Sequence, residues 1–123
     1  MGKRVLIADD EPNIVASLEF LMEQAGFEVK LAANGQEALE LVASFRPDLV
    51  LLDVMMPVKN GYEVCQILKS DPATRAVKVV MLSAKGRDVE VAKGLELGAD
   101  AYVTKPFSTR DLVAQIQDML GAA

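Results

Sequence analysis

The stretch Leu49-Val50-Leu51-Leu52-Asp53 decides the fold. It is a short unbroken apolar run that follows the chain breaker Pro47 and ends on an acid. Such a run reads as a strand covered on both faces, as in a parallel sheet. The same grammar recurs at Val5–Ala8, which runs into Asp9 and Asp10, and at Ala101–Thr104, which runs into Lys105.

The segments between these runs change period. Glu11–Ala25 carries Ile14, Val15, Leu18, Leu21 and Met22 at helical spacing, with Pro12 early, where proline is tolerated, and Gly26 as the stop. Phe27–Ala32 reads as the second strand. Asn34 caps the next helix, Glu37 completes a pattern resembling a capping box, and Ala38, Leu39 and Val42 face inward. The loop Val54–Asn60 leads into a helix at Gly61–Ser70, which Asp71-Pro72 stops. Val77–Leu82 is the fourth strand, and a helix spans about Asp88–Leu97 with Gly98 closing it. The last helix covers about Ser108–Leu120, capped by Ser108 with Asp111, and turns Leu112, Val113, Ile116 and Met119 inward.

Strands alternating with amphipathic helices predict an α/β fold, a doubly wound five-stranded parallel sheet. In the flavodoxin-like (βα)5 order 2-1-3-4-5, strands 1 and 3 are neighbours. Asp9, Asp10 and Asp53 then converge at the carboxyl edge, where sheets of this kind bind ligands.

The 123 residues form one domain, 1–123, long enough to bury about two-thirds of the surface an unfolded chain exposes. No apolar run approaches the ~20 residues of a membrane span, and no signal-peptide core opens the chain, so a cytoplasmic protein is expected. The net charge of −5, without a basic stripe, argues against direct nucleic-acid binding by this domain. Cys65 is the only cysteine, which excludes an internal disulfide, and its helical context predicts ordinary packing. The chain contains no histidine, so histidine bases, ligands and phosphohistidine are all excluded. Gly121-Ala122-Ala123 reads either as a natural end or as the start of a linker.

Carboxylates gathered in one cleft repel, and they protonate or recruit a cation. Mg2+ takes oxygen ligands, commonly one or two carboxylates with waters and phosphate. Asp10 and Asp53 suit direct ligation, Asp9 can hold a coordinated water, and the Met55 backbone carbonyl can complete the set. Asp53 can also act as a nucleophile that forms an aspartyl-phosphate. The charge on the phosphoryl oxygens would then be met by the metal, the Lys105 ammonium and the Ser83 hydroxyl. Ala84 leaves room for the incoming group.

These residues carry a resemblance. Asp9-Asp10-Glu11, Pro47-Asp48 through Asp53, Met56-Pro57 with Asn60-Gly61, Ser83-Ala84, Gly98-Ala99-Asp100 and Lys105-Pro106-Phe107 together resemble the receiver domains of bacterial two-component response regulators, single-domain chemotaxis regulators among them. The resemblance spans essentially the whole chain. It implies Asp53 as phosphoacceptor, Asp9 and Asp10 as the acid pair for Mg2+, Lys105 as the phosphate-binding lysine, Ser83 as switch hydroxyl and Tyr102 as switch aromatic. It also implies a cis peptide before Pro106. A sensor histidine kinase or histidine phosphotransfer protein would be the donor. The face of the fourth helix, fifth strand and fifth helix would meet a downstream protein, as a monomer or a phosphorylation-dependent dimer. Such a domain is a switch rather than an enzyme, beyond its own phosphotransfer and autodephosphorylation.

One position departs from the family pattern, and two fall where the family varies. Lys59 stands where an apolar residue, often methionine, is usual, and it adds a loop cation. Met55 and Lys85 occupy the positions that flank the path of the hydrolytic water in this family. Met55 has no polar group to orient that water, so slow self-dephosphorylation is expected. Gly86, Gly94 and Gly98 suit the fourth helix to movement, since a helical glycine costs about 1 kcal/mol against alanine.

Other functions fit less well. A dehalogenase-type phosphatase would need an acid where Met55 stands. A flavodoxin-like FMN carrier would meet repulsion from Asp9-Asp10-Glu11. No Gly-x-Gly-x-x-Gly follows the first strand, which argues against a dinucleotide site. A receiver-like module that takes no phosphate would be expected to lack an acid or the lysine.

Overall fold

The computed structural model describes residues 3–56, 58–83, 93, 95–105 and 107–121. Five parallel strands, as the alternation predicts, stand in the order β2-β1-β3-β4-β5, the one expected for a flavodoxin-like fold. They are β1 (Arg4–Ala8), β2 (Glu28–Ala32), β3 (Leu49–Asp53), β4 (Lys78–Ser83) and β5 (Ala101–Thr104). The described helices are α1 (Pro12–Gln24), α2 (Gly35–Phe45), α3 (Gly61–Ser70) and α4 (Thr109–Leu120). The fourth expected helix, about Asp88–Leu97, lies largely outside the described residues, although Lys93, Leu95 and Glu96 are helical. Ala84, Lys85, Gly86, Gly94 and Pro106 lie outside them too.

The apolar runs of β1, β3 and β4 are buried on both faces because side chains alternate along a strand, whereas β5, at the sheet edge, is only partly buried. Val5 and Ile7 of β1, Leu49 and Leu51 of β3, and Val80 and Leu82 of β4 join Leu18, Met22, Leu112, Val113 and Ile116 in the core beneath α1 and α4. Their alternates Leu6, Ala8, Val50, Leu52, Val79 and Met81 join Ala38, Val42, Val64, Cys65 and Leu68 beneath α2 and α3. Cys65 is fully buried, as packing predicts, and burial pushes its thiol up to about 11.

Element ends follow local chemistry. The Asn34 side chain accepts from Glu37 N–H at 2.8 Å, but the Glu37 carboxylate accepts from Ala33 N–H and not from Asn34, so the expected box is displaced by one residue. A complete capping box forms instead at Asn60 and Glu63, and it anchors α3 directly behind the Asp53 loop. Ser108 caps α4 by accepting from Asp111 N–H at 3.3 Å. Gly26 and Gly98 follow their helices with φ of +94° and +103°, a region that favours glycine.

Lys69 ties three elements together at the opposite edge of the sheet. Its ammonium donates to the carbonyls of Arg75 (3.1 Å) and Val77 (2.8 Å) and pairs with Asp100 at 3.1 Å. The same Asp100 oxygen accepts from Val79 N–H at 2.8 Å. Lys69→Met keeps the stem and deletes these bonds, so it should lower unfolding free energy by about 2 kcal/mol, the range for bonds to a charged group. Urea unfolding measures this, and a loss under about 0.5 kcal/mol, the scale of ordinary surface changes, would argue against the tie.

Candidate functional site

The strand order makes β1 and β3 neighbours, with Ala8 opposite Leu52, so the residues that follow them meet at the carboxyl edge. Alternation does the rest. Asp9 follows Ile7 by two residues, Asp53 follows Leu51 by two, and Lys105 follows Val103 by two, and all three of those apolar residues face α1 and α4. The three charged side chains therefore share one side of the edge.

There the Lys105 ammonium lies 3.2 Å from Asp9 Oδ2, 2.9 Å from Glu11 Oε1 and 3.5 Å from Asp53 Oδ2. A backbone bond of 2.7 Å from Lys105 N–H to the Ser83 carbonyl fixes the lysine to the end of β4. Asp9 and Asp53 are 3% and 5% exposed, whereas Asp10 is exposed. One carboxylate oxygen from each of Asp9, Asp10 and Asp53 falls within 4.8 Å of the others. Backbone amides hold the acids in place. Asp9 Oδ1 accepts from Glu11 N–H at 2.9 Å, and Asp53 Oδ1 accepts from Met55 N–H at 3.1 Å.

The second oxygen of Asp9 fits a cation. It is buried and faces the lysine as an ion pair, but among the described residues no donor reaches it in hydrogen-bond geometry. Buried carboxylate oxygens normally have such partners. Three converging acids with an orphaned oxygen match the all-oxygen preference of Mg2+, and Asp9, Asp10 and Asp53 are the residues that would hold it.

The electrostatics point the same way. Burial raises the Asp53 pKa above the ordinary 3.8 and the nearby Asp9 and Asp10 charges add to the rise, while the Met55 amide and Lys105 oppose it. Burial works against the Lys105 ammonium, but the Glu11 hydrogen bond and the Asp9 and Asp53 charges outweigh it, so its pKa lies above the usual lysine value.

Gly61 is where the loop after β3 folds back on the strand. A side chain there would put its Cβ 2.7 Å from the Asp53 carbonyl oxygen and 2.9 Å from Val54 Cα. Gly61 N–H instead donates to the Val54 carbonyl at 3.0 Å. Within this loop Val58 adopts φ +69°, a rare conformation for a β-branched residue, and is 74% exposed.

The match with known proteins extends over nearly the whole chain. The model of the response regulator receiver domain family matches residues 5–117. The chain belongs to this family. The receiver domain is 43% identical over 120 residues to the DNA-binding response regulator MtrA of Mycolicibacterium smegmatis, covering 98% of this chain and 51% of that protein. The chain thus spans about half the length of that relative. Among solved structures it is similar to the receiver domain of Francisella response regulator 1452, with 30% identity, a TM-score of 0.90 and 98% of each chain covered. The BeF3-activated N-terminal receiver domain of Klebsiella pneumoniae RstA gives 27% identity and a TM-score of 0.88, with 96% of this chain and 98% of that chain covered.

The structure brings together the expected Asp9, Asp10, Asp53 and Lys105 and places Ser83, 2% exposed, at the last position of β4. Ser83 and Tyr102 belong to the opposite side of the sheet. Ser83 follows Met81 by two residues, Met81 pairs with Tyr102, and Tyr102 packs on the core beneath α2 and α3. Sequence reading missed two residues. Glu11 had been only part of a motif, and its partnership with Lys105 spans 94 positions. Tyr62 carried no signal, yet its hydroxyl lies 3.5 Å from that of Tyr102.

A carboxyl with a raised pKa holds its proton to higher pH in the folded protein than in the unfolded chain. Folding therefore loses stability as pH rises from the ordinary value of 3.8 through the raised one, and the loss persists above it. With divalent cations chelated, Asp53→Asn should raise the thermal midpoint at neutral pH and change little at pH below 3.8. Excess Mg2+ should raise the wild-type midpoint, about 2.7 kcal/mol at a hundredfold excess over Kd, and help the variant less. Calorimetry with and without chelator reads both effects, and a destabilised Asp53→Asn at neutral pH would contradict the first.

Proposed function

We propose that this receiver domain takes a phosphoryl group on Asp53 from a phosphohistidine of another protein, in a reaction that requires Mg2+. The observation that carries the proposal is the buried Asp53 carboxylate beside the Lys105 ammonium, at the edge where Asp9 and Asp10 converge. An Asp53 carboxylate oxygen attacks phosphorus, the N–P bond of the donor breaks, and the imidazole leaves with the electron pair. Lys105 turns from the acids toward the new phosphoryl oxygens, and the Ser83 hydroxyl hydrogen-bonds another of them. Asp9, Asp10, Asp53 and the Met55 carbonyl would hold a Mg2+, which would supply charge neutralisation for the transferred group. The donor lies outside the chain because the chain has no histidine. It is a histidine kinase or a histidine phosphotransfer protein.

The phosphorylated state is a population shift in which Ser83 and Tyr102 reorient and change the face that includes β5 and α4. That face meets a downstream protein, as a monomer or as a phosphorylation-dependent dimer. The acidic charge suits protein partners rather than nucleic acid for the domain itself. Among the described residues no helix is long and apolar enough to cross a membrane, and we place the domain in the cytoplasm, where histidine kinases present their phosphodonor.

Incubation with Mg2+ and acetyl phosphate should add one phosphoryl group by intact mass, and the adduct should vanish in Asp53→Ala. An adduct that survives Asp53→Ala would overturn the assignment. Met55, 67% exposed at the mouth of the site, has no group to orient water, so the adduct should decay slowly. Decay followed by mass should accelerate several-fold in Met55→Asn, the scale of a modest gain in water positioning. Unchanged or slower decay would count against this role for Met55.

A further inference from the structure

Tyr62 stands at the second position of α3, directly after the glycine whose backbone lies against Asp53. Helix α3 covers the side of the sheet that carries Tyr102. Across that side the Tyr62 hydroxyl lies 3.5 Å from the Tyr102 hydroxyl, with 40 positions between them in the chain. The Lys93 ammonium sits 4.6 Å from the centre of the Tyr62 ring, within the range of a cation–π interaction. One side chain thus touches the switch aromatic and a residue of the segment leading into β5, while its neighbour is wedged on the phosphoacceptor.

We infer that Tyr62 is a positioning residue that couples the Asp53 loop to Tyr102 and Lys93, a route separate from the Ser83 hydroxyl. The inference rests on the phosphoacceptor role of Asp53 and deepens it. The physical reason is the lack of slack at Gly61. With no room for even a Cβ between Gly61 and the Asp53 carbonyl, a shift of the Asp53–Val54 backbone must displace Gly61. The Asn60–Glu63 capping box makes this first turn of α3 rigid, so Tyr62 moves with it. At 3.5 Å the two hydroxyls are beyond the usual O–H···O separation, so a small displacement suffices to form or break their bond. The ring and its cation then carry the same displacement to Lys93. The Ser83 route acts on Tyr102 from the end of β4. The Tyr62 route acts on it from the helix above, and it requires an aromatic hydroxyl at this position.

The chain has two tyrosines and no tryptophan, so each tyrosine can be observed alone. Protein labelled with 13C-tyrosine gives ring signals from Tyr62 and Tyr102 only, assigned with Tyr62→Phe and Tyr102→Phe. Addition of Mg2+ and beryllofluoride, an acyl-phosphate mimic, should shift both tyrosines in wild type. In Tyr62→Leu the activation shift of Tyr102 should fall clearly below its wild-type size, leaving the part carried by the Ser83 route, and Tyr62→Phe, which lacks the hydroxyl, should lose as much. Phosphorylation by acetyl phosphate, read by mass, should be unchanged in both. A Tyr102 activation shift of wild-type size in Tyr62→Leu overturns the coupling. So does a Tyr62 signal that stays still when wild type is activated. Absence of any mass adduct in wild type would instead overturn the phosphoacceptor reading beneath it.

Discussion

Two carboxylates held out of water beside an ammonium are the constraint on which the rest depends. Asp9 and Asp53 are almost fully buried, Asp10 stands beside them, and Lys105 supplies an opposing charge that it also shares with the carboxylate of Glu11. Burial, with the neighbouring Asp9 and Asp10 charges, makes Asp53 hold its proton above the ordinary range, and among the described residues one oxygen of Asp9 has no hydrogen-bond donor. Burying charge without full compensation is costly, and proteins tolerate it where it serves chemistry. Here the gathered acids make the edge a candidate site for a divalent cation.

The sheet separates the residues of its carboxyl edge onto two faces. Side chains at Asp9, Asp53 and Lys105 belong to the side covered by α1 and α4, whereas Ser83 and Tyr102 belong to the side covered by α2 and α3. The two sides meet at the end of β4, where the Ser83 carbonyl accepts from Lys105 N–H. They also meet through the loop after β3, which crosses from Asp53 to the start of α3. A parallel sheet suits this arrangement because all its carboxyl ends lie together while its faces stay distinct.

The strands and the acids and lysine at their ends were legible in the sequence because each rests on a local pattern, whereas the strand order came with the family resemblance. Val5–Ala8 and Leu49–Leu52 are continuous apolar runs, and the residues after them need no tertiary information to be placed at strand ends. Helix ends were legible less completely. Asn34 was a clear cap, but Glu37 reaches Ala33, a matter of side-chain trajectory rather than spacing. The box at Asn60 and Glu63 has the required spacing and was passed over because the loop before it holds no apolar rhythm. Glu11 and Tyr62 could not be found at all, since their partners lie 94 and 40 residues away. The positive φ of Val58 also had no signal, because a β-branched residue argues against that conformation.

By itself the sequence determined the alternation of elements, the acids and lysine at strand ends, the single cysteine and the lack of any histidine. These follow from periodicity and composition, which act within a few residues or over the whole chain. Only the tertiary structure decided which charges touch. It paired Lys105 with Glu11 as well as the aspartates, made Asp9 the buried acid and Asp10 the exposed one, pressed Gly61 on Asp53 and set Tyr62 against Tyr102. Strand pairing and helix packing set those distances to a few ångströms between residues far apart in the chain, and no local pattern encodes a distance of that kind.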